Sequence, residues 1–411
     1  DAFFRIPLNP AERCYFVAYY KGTFIVWSRI AQGSKNGPQS WGRMSALISR
    51  LAQSLFEDHE LLLHTYTDDP LATMLGDQHS INHYVSVLIL VWRVLGFKLA
   101  FKKGQLGDAV CWVGYDIATD ADAQTIRVSI KKEFMEELTA MTQDFLKRNV
   151  VGRRDLKSYT GKVSHVANMI WVIKPFMEQL WAACESSGGS KQGCVWRRQI
   201  DDALSWIKAF LDNQHGPLRR EWRLQALVVE ATRVMLVFDA CPWGLGAVLL
   251  INNKPIQYFT SAITAFDEVR YQYRIGDSRG QQAWEALSVL VALRLWRPFW
   301  VSTKVTLALQ GDNVSALTLA LKLKATTGAM KAIAREVALE FSESTVMPMI
   351  AQHIPGLTNA VADKLSRKYE PNAHFILPAA LDSATEAFAP VRDDSYYYVP
   401  FRAMRGKKRR R

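Results

Sequence analysis

Alternating apolar and polar positions predict a hairpin between two helices near the start of the chain. An apolar run within residues 61–74 stops at Asp68 and Asp69 and then resumes, which predicts a β-hairpin with two acids at its tip. Apolar residues at helical spacing predict helices over residues 45–55 and 80–95. The adjacent acids fit either a divalent cation site or a solvated turn.

Helical periodicity dominates the middle of the chain. Apolar stripes predict helices over Lys131–Lys147, Arg154–Leu180 and Arg197–Leu211, and the segment from Glu185 to Ser190 is expected to be flexible. Basic side chains recur here, at Lys131, Lys132, Lys147, Arg148, Arg153, Arg154, Lys157, Lys162, Arg197 and Arg198. They fit contacts to duplex phosphates, although a solvated helix face explains any single one equally well.

Strands and helices alternate after about residue 228. Predicted elements are strands over 233–239, 244–250, 256–259 and 304–312, and helices over 281–296 and 314–323. Glycines at 244 and 246 allow the first two strands to lie close together. This pattern indicates an α/β domain.

Four acids lie at strand ends or on helices of this second domain. Asp239 and Asp312 each end a predicted strand, Glu285 falls at the border of an apolar helix face, and Asp363 begins a helix. Each has a structural explanation, as a turn residue, a helix cap, a salt-bridge partner or a helix-dipole partner. Their joint occurrence is what indicates a site.

Composition favours a folded protein with a polyanionic partner. The 411 residues carry a net charge of +12, which fits nucleic acid, with solubility as the alternative. Five cysteines without a C-x-x-C pair indicate a reducing compartment, cytoplasmic or nuclear. The apolar stretch 85–101 contains Arg93 and Lys98 and is expected to form a buried helix followed by a strand, with no membrane span.

The first stretch resembles the palm of reverse transcriptases. Tyr66-Thr67-Asp68-Asp69 matches the Tyr-x-Asp-Asp motif of that family, and Gln32 and Gly33 match its loop over the incoming nucleotide. The resemblance further implies nucleotide contacts by Asp1, by Phe3 as the steric gate and by Lys103, for which Lys102 is an alternative, and a primer-gripping hairpin at Trp112-Val113-Gly114.

The resemblance also implies an incomplete polymerase site. The first catalytic Asp of the family lies three residues upstream of the position that Asp1 matches. Because two-metal catalysis uses a carboxylate that bridges both ions, we expect this sequence to be an excerpt of a longer polypeptide. Primer extension would then need upstream sequence, including the fingers.

The second domain resembles ribonuclease H. Its acids occur in the order Asp239, Glu285, Asp312 and Asp363, and His353 precedes the last acid by ten residues. The phrases His-Ile-Pro-Gly and Ala-Asp-Lys-Leu-Ser-Arg resemble retroelement polyproteins, including tyrosine-recombinase and gypsy-like elements. The resemblance implies that the four acids bind two Mg²⁺, with Mn²⁺ as a substitute, and that His353 shuttles protons or assists product release.

Together these features predict a retroelement reverse transcriptase and ribonuclease H. The expected organisation is a partial α+β right-hand palm (1–118), a helical thumb and connection (119–227), an α/β ribonuclease H-like domain with a mixed sheet (228–370) and a flexible basic tail (371–411). Expected partners are RNA–DNA hybrid and template-primer, with deoxynucleoside triphosphates for the parent polymerase. The alternative is a decayed or domesticated protein that binds nucleic acid without catalysis; an integrase-like transposase fits the order of acids less well.

Overall fold

The computed structural model describes residues 3–185, 193–223, 231–300, 305–343 and 348–400. The chain forms two compact units, residues 1–119 and residues 120–411. Several features predicted from the sequence lie outside the described residues: Asp1, the serine and glycine segment 186–190, the domain boundary at 227/228 and the basic run 405–411.

The first unit contains two hairpins, two helices and a final pair of strands. Its elements are β1 (Val17–Tyr20), β2 (Thr23–Val26), α1 (Gly37–Gln53), β3 (Leu61–Tyr66), β4 (Asp69–Met74), α2 (Gln78–Val94), β5 (Ala109–Trp112) and β6 (Tyr115–Asp120). The antiparallel pair β3–β4 turns at Thr67 and Asp68, so the predicted acidic hairpin is present. Ala52, Leu61 and Leu88 form the buried core under it.

Helix α2 differs from the buried helix and following strand that its apolar sequence predicts. Leu90 and Val94 are exposed, and the chain after Val94 forms loops and a short 3₁₀ turn before β5. The sequence pattern fails here because only one stripe of this helix, centred on Leu88, packs against the hairpin core. No helix in the described ranges has the length and apolar character needed to cross a lipid bilayer.

The second unit begins with a strand pair and a group of helices. Strands β7 (Thr125–Ile130) and β10 (Arg219–Arg223) are antiparallel neighbours, as are β8 (Val150–Gly152) and β9 (Cys194–Trp196). The helices are α3 (Lys132–Lys147), α4 (Arg153–Met169), α5 (Glu178–Glu185) and α6 (Asp201–Leu211).

The helix predicted from Arg154 to Leu180 is interrupted, which corrects the sequence pattern. Helix α4 ends at Met169, and a 3₁₀ turn over Trp171–Phe176 precedes α5. Pro175 lies inside that turn. A proline lacks the backbone N–H that an α-helix needs and clashes with the preceding turn, so the apolar spacing continues while the α-helix does not.

A six-stranded mixed sheet lies at the centre of the rest of the second unit. In spatial order it runs β15 (Pro348–His353), β14 (Val305–Gly311), β11 (Thr232–Ala240), β12 (Gly244–Ile251), β13 (Lys254–Ala262) and β16 (Thr385–Glu386). Strands β11, β12 and β13 are antiparallel, whereas β14 is parallel to β11 and to β15. The mixed α/β fold predicted for this part is therefore present.

Helix α8 (Gln281–Leu295) is enclosed by the rest of the unit. The other helices are α7 (Ala265–Tyr271), α9 (Val314–Lys322), α10 (Gly328–Glu343) and α11 (Ala360–Ser366). Helix α8 packs on β11 and β12 and against α9 and α10, and every residue from 283 to 293 is buried. Glu285 is therefore inside the protein, where the sequence predicted the border of an apolar face.

Residues 371–400 fold back onto the second unit, which corrects the prediction of a flexible tail from residue 371. Strand β16 pairs with β13, and Arg392 is buried with its guanidinium donating to both oxygens of Asp267. The backbone N–H groups of Tyr398 and Val399 donate to Glu336 on α10. These contacts join residues far apart in sequence, so no local periodicity reveals them.

Candidate carboxylate site

Parallel strand ends bring two of the predicted acids to one edge of the sheet. Strands β11 and β14 are adjacent and parallel. Asp239 is the next-to-last residue of β11, and Asp312 follows β14 directly. Because parallel neighbours end at the same edge of a sheet, the two carboxylates face one another without any special loop.

Glu285 completes a group of three carboxylates. It lies one turn into α8, which packs on β11. One oxygen from each of Asp239, Glu285 and Asp312 lies within 4.8 Å of the others. Asp239 and Glu285 are only 4% and 3% exposed, so three like charges are held together with little water to screen them.

Burial and mutual repulsion favour protonation in this group. Burial first, and then the charges of Asp312 and Asp363, raise the pKa of Asp239 to about 7, while the Ser366 hydrogen bond acts in the opposite direction. Burial and the charges of Asp239 and Asp312 raise the pKa of Glu285 well above its ordinary range. The group therefore needs protons or a cation at neutral pH.

Neutral side chains form hydrogen bonds with two of the three carboxylates and with the backbone beside them. Ser366 Oγ lies 2.7 Å from Asp239 Oδ2, and Asn359 Nδ2 donates to the carbonyl oxygen of Phe238 at 3.0 Å. Gln281 donates to Glu285 Oε1 at 3.0 Å.

Among the residues that the structure describes, two buried oxygens of the site have no hydrogen-bond partner. Glu285 Oε2 and Asn359 Oδ1 lie beside the carboxylate group with their acceptor capacity unused. Buried acceptors of this kind carry a desolvation cost unless a donor or a cation occupies the site. Oxygen donors with a surplus of negative charge are the ligands that Mg²⁺ and Mn²⁺ prefer. The residues present thus fit a divalent cation.

The fourth predicted acid and the predicted histidine lie at the margin of the group. Asp363 accepts a 2.7 Å hydrogen bond from Arg367 Nε and is not a member of the group of three. His353 is exposed, and its Nε2 lies 3.1 Å from the Asp312 carbonyl oxygen. At Gly356, a Cβ would lie 3.0 Å from Asp312 Oδ2, so that loop passes close to the carboxylate.

The acids of the first unit lie at an exposed hairpin tip whose backbone is held by two tryptophan hydrogen bonds. Asp68 is in the turn and Asp69 is the first residue of β4, and both are exposed. Trp41 Nε1 donates to the Thr67 carbonyl at 3.0 Å, and Trp112 Nε1 donates to the Asp69 carbonyl at 3.0 Å. In the described residues, the group of three carboxylates found in the second unit has no counterpart at this tip.

The other residues predicted to bind nucleotide lie at the surface of the first unit. Phe3 is half-buried beside Gly37, where a Cβ would lie 3.4 Å from the Phe3 ring. Gln32 and Gly33 are exposed in the loop before α1, and Lys103 is exposed at the end of a 3₁₀ turn. The structure places Phe3 next to the first residue of α1, and within the described part of the first unit no further contact defines a nucleotide site.

Sequence reasoning assigned no role to Gln281, Asn359 and Ser366. A signal for the last two exists in the spacing, because Asn359, Asp363 and Ser366 stand at i, i+4 and i+7, the spacing of one helix face. The same spacing relates Gln281 to Glu285 on α8. Polar residues that share a helix face with a predicted catalytic acid are candidates for its hydrogen-bond partners.

Comparison with known proteins finds similar solved structures. No protein-family model matches the chain, and no curated protein matches it. The chain is similar to a foamy viral protease-reverse transcriptase in complex with double-stranded DNA, with 13% identity, a TM-score of 0.42, and coverage of 86% of this chain and 56% of that one.

Two further solved structures are similar to the chain. The foamy viral enzyme in complex with an RNA/DNA hybrid matches at 14% identity and a TM-score of 0.41, covering 87% of this chain and 43% of that one. RNase H1 from the halophilic archaeon Halobacterium salinarum matches at 18% identity and a TM-score of 0.27, covering 34% of this chain and 99% of that one. The chain thus spans about half the length of the foamy viral proteins that it matches, and its function has to be argued from the geometry of the carboxylates.

Proposed function

We propose that the second unit is a divalent-metal-dependent nuclease that cleaves the RNA strand of RNA–DNA hybrids. The observation that carries this proposal is the group formed by Asp239, Glu285 and Asp312, whose oxygens lie within 4.8 Å of one another at one sheet edge. Two of these carboxyl groups are buried and the third is half-buried, and holding them together without a cation costs stability.

Asp239, Glu285 and Asp312 would hold Mg²⁺ or Mn²⁺, and Asp363 lies nearby as a fourth carboxylate. When bound, the metal lowers the pKa of an attacking water and stabilises charge on the leaving oxygen. The role of the chain is to exclude water from Asp239 and Glu285 and to keep their carboxylates converged. Gln281 orients Glu285 by its 3.0 Å hydrogen bond.

Basic side chains of the second unit support a nucleic-acid substrate. Arg154, Lys157 and Arg198 lie in or beside the helices α4 and α6, and the Arg198 guanidinium stacks over Trp196 at 5.6 Å. Others, such as Arg148 with Asp144, are engaged in ion pairs. Hybrid specificity is proposed to come from duplex shape and from contacts to 2′-hydroxyls.

His353 is proposed to move protons or to assist product release. Its ring is exposed, and Nε2 lies 3.1 Å from the Asp312 carbonyl, close to the carboxylates without joining them. From such a position the imidazole ring is open to solvent and lies beside the carboxylate edge.

The first unit is proposed to belong to the polymerase part of a reverse transcriptase, where it would handle template-primer and deoxynucleoside triphosphates. Its support is the acidic hairpin, braced by Trp41 and Trp112 with both carboxylates exposed. Asp68 and Asp69 alone do not supply a carboxylate that bridges two metal ions. We therefore expect no primer extension by this chain alone, and extension of a primed RNA template would contradict that expectation.

The test of the nuclease proposal is cleavage of a labelled RNA–DNA hybrid by the full chain, with and without Mg²⁺. Asp312→Asn is expected to abolish cleavage while leaving the protein folded. Asp382, an exposed acid outside the site, provides the matched control Asp382→Asn. Salt-dependent hybrid binding with no Mg²⁺-dependent cleavage by the wild type would instead support the alternative, a catalytically inactive nucleic-acid-binding protein.

A further inference from the structure

We infer that Ser366 is a positioning residue for Asp239, and that the glycines of β12 exist in part to let it reach that carboxylate. This inference rests on the proposed metal-dependent function of the carboxylate group. It assigns a role to a neutral side chain that neither binds the substrate nor carries the charge of the site.

The Ser366 hydroxyl has two acceptors within reach and one proton to donate. Its Oγ lies 2.7 Å from Asp239 Oδ2 and 2.9 Å from the carbonyl oxygen of Asp363 in its own helix. A serine in a helix ordinarily bonds such a backbone carbonyl. Since Ser366 could be satisfied inside its own helix, the group that depends on the contact is Asp239.

The short hydrogen bond that Asp239 accepts comes from a residue of α11. The second contact from this region, Asn359 Nδ2 to Asp239 Oδ1, is long at 3.4 Å, and that amide bonds the Phe238 carbonyl more closely. Both Ser366 and Asn359 are buried, at 0% and 2% exposure. The Ser366 hydroxyl therefore determines which way the Asp239 carboxylate is turned, because its hydrogen bond is the shorter of the two and becomes stronger when a bound cation keeps the carboxylate ionised.

The approach of α11 depends on glycine at two positions of β12. Gly246 is the residue paired with Asp239 across β11 and β12. A Cβ at Gly246 would lie 2.6 Å from both Leu365 Cβ and Ser366 N, and one at Gly244 would overlap the Ser366 carbonyl oxygen. Any side chain at these positions would lift the helix and carry the hydroxyl away from Asp239.

The arrangement leaves the rest of the Asp239 carboxylate free for a cation. Ser366 occupies one lone pair of Oδ2, while Glu285 and Asp312 offer their oxygens within 4.8 Å. A donor that fixes a ligating carboxylate typically changes metal affinity or activity by about 10- to 100-fold when it is removed. Ser366→Ala is expected to raise the half-saturating metal concentration by about that factor.

Ser288 provides a matched control. It is also 0% exposed, and its hydroxyl donates to the Gly246 carbonyl at 3.1 Å, on the same stretch of β12. Ser288→Ala thus removes a buried hydroxyl beside the same glycine without touching Asp239. If Ser366 were merely structural, both substitutions would change thermal stability to a similar extent and leave metal binding alone.

The experiment measures Mn²⁺ binding to the full chain by calorimetry and the Mg²⁺ dependence of hybrid cleavage, for wild type, Ser366→Ala and Ser288→Ala. Weaker Mn²⁺ binding and a higher Mg²⁺ requirement in Ser366→Ala alone support the inference. The inference is overturned if Ser366→Ala binds Mn²⁺ with an affinity within twofold of wild type, or if Ser288→Ala loses as much Mn²⁺ affinity as Ser366→Ala. In either case, cleavage of the hybrid by the wild type leaves the nuclease proposal standing. Wild-type protein that neither binds Mn²⁺ nor cleaves overturns both.

Discussion

Arg367 Nε donates a 2.7 Å hydrogen bond to Asp363 Oδ1, one turn earlier on the same stretch of chain. Both side chains are partly exposed, at 50% for Arg367 and 39% for Asp363. The ion pair compensates the negative charge of the one predicted acid that stands apart from the group of three. A cation approaching the site therefore competes with this guanidinium for Asp363.

Replacing Arg367 by alanine is expected to strengthen Mn²⁺ binding by about two- to fivefold, the range that an exposed ion pair supports. Calorimetry on the full chain measures this change in Mn²⁺ affinity. Arg148→Ala is the matched control, because Arg148 and Asp144 also form an i, i+4 pair at 2.7 Å with similar exposure, on a helix remote in sequence from the site. Unchanged affinity in Arg367→Ala would show that Asp363 does not contribute to the cation site.

Glu285→Gln is expected to abolish hybrid cleavage and, in the presence of EDTA, to stabilise the protein by about 1–3 kcal/mol. At neutral pH the substitution removes the cost of protonating this buried carboxyl beside Asp239 and Asp312, and it keeps an oxygen that accepts a hydrogen bond from Gln281. Thermal unfolding with EDTA and a cleavage assay with Mg²⁺ measure the two effects. A loss of both stability and cleavage would mark Glu285 as structural.

The raised pKa of Asp239 predicts that the metal-free protein loses stability as the pH rises. The ordinary pKa of this carboxyl is 3.8 and burial raises it to about 7 in the folded protein, so the folded state binds the proton more tightly than the unfolded state. The favourable contribution is fully present below about pH 4 and is lost as the pH rises towards 7.

Urea unfolding with EDTA, compared between wild type and Asp239→Asn, isolates this effect from the titration of other groups. The variant is expected to gain about 2–3 kcal/mol relative to wild type between pH 5 and pH 8. A difference that stays constant with pH would show that Asp239 is ionised throughout.

Gly246→Ala is expected to cost about 1–3 kcal/mol of stability, because the new methyl group overlaps Leu365 and Ser366 at 2.6 Å. It should also weaken Mn²⁺ binding in the direction expected for Ser366→Ala. Gly161, in the middle of α4 with no atom near its Cβ position, is the control. Gly161→Ala should stabilise by about 0.5–1 kcal/mol, so the two substitutions are expected to differ in sign.

The acids of the candidate site could largely be predicted from local sequence, whereas the neutral side chains that bond them could not. Asp239 and Asp312 were predictable because each ends a run of strand-forming residues, and parallel strand ends meet. The burial of Glu285 was underestimated, since α8 is covered by α9 and α10 as well as by the sheet, and a periodic pattern in one helix does not reveal how many neighbours it has. The 2.7 Å contact between Ser366 and Asp239 depends on the close packing of α11 on two glycines.

The buried guanidinium of Arg392 limits where the second unit can be divided. A fragment that ended at residue 370 would leave Asp267 buried without its cation, Glu336 without two backbone donors, and the edge of β13 open to pairing with other chains. Loss of one partner of a buried ion pair alone costs about 3–5 kcal/mol. The smallest piece that can be exchanged between polypeptides as an independent folding module therefore extends at least to Val399.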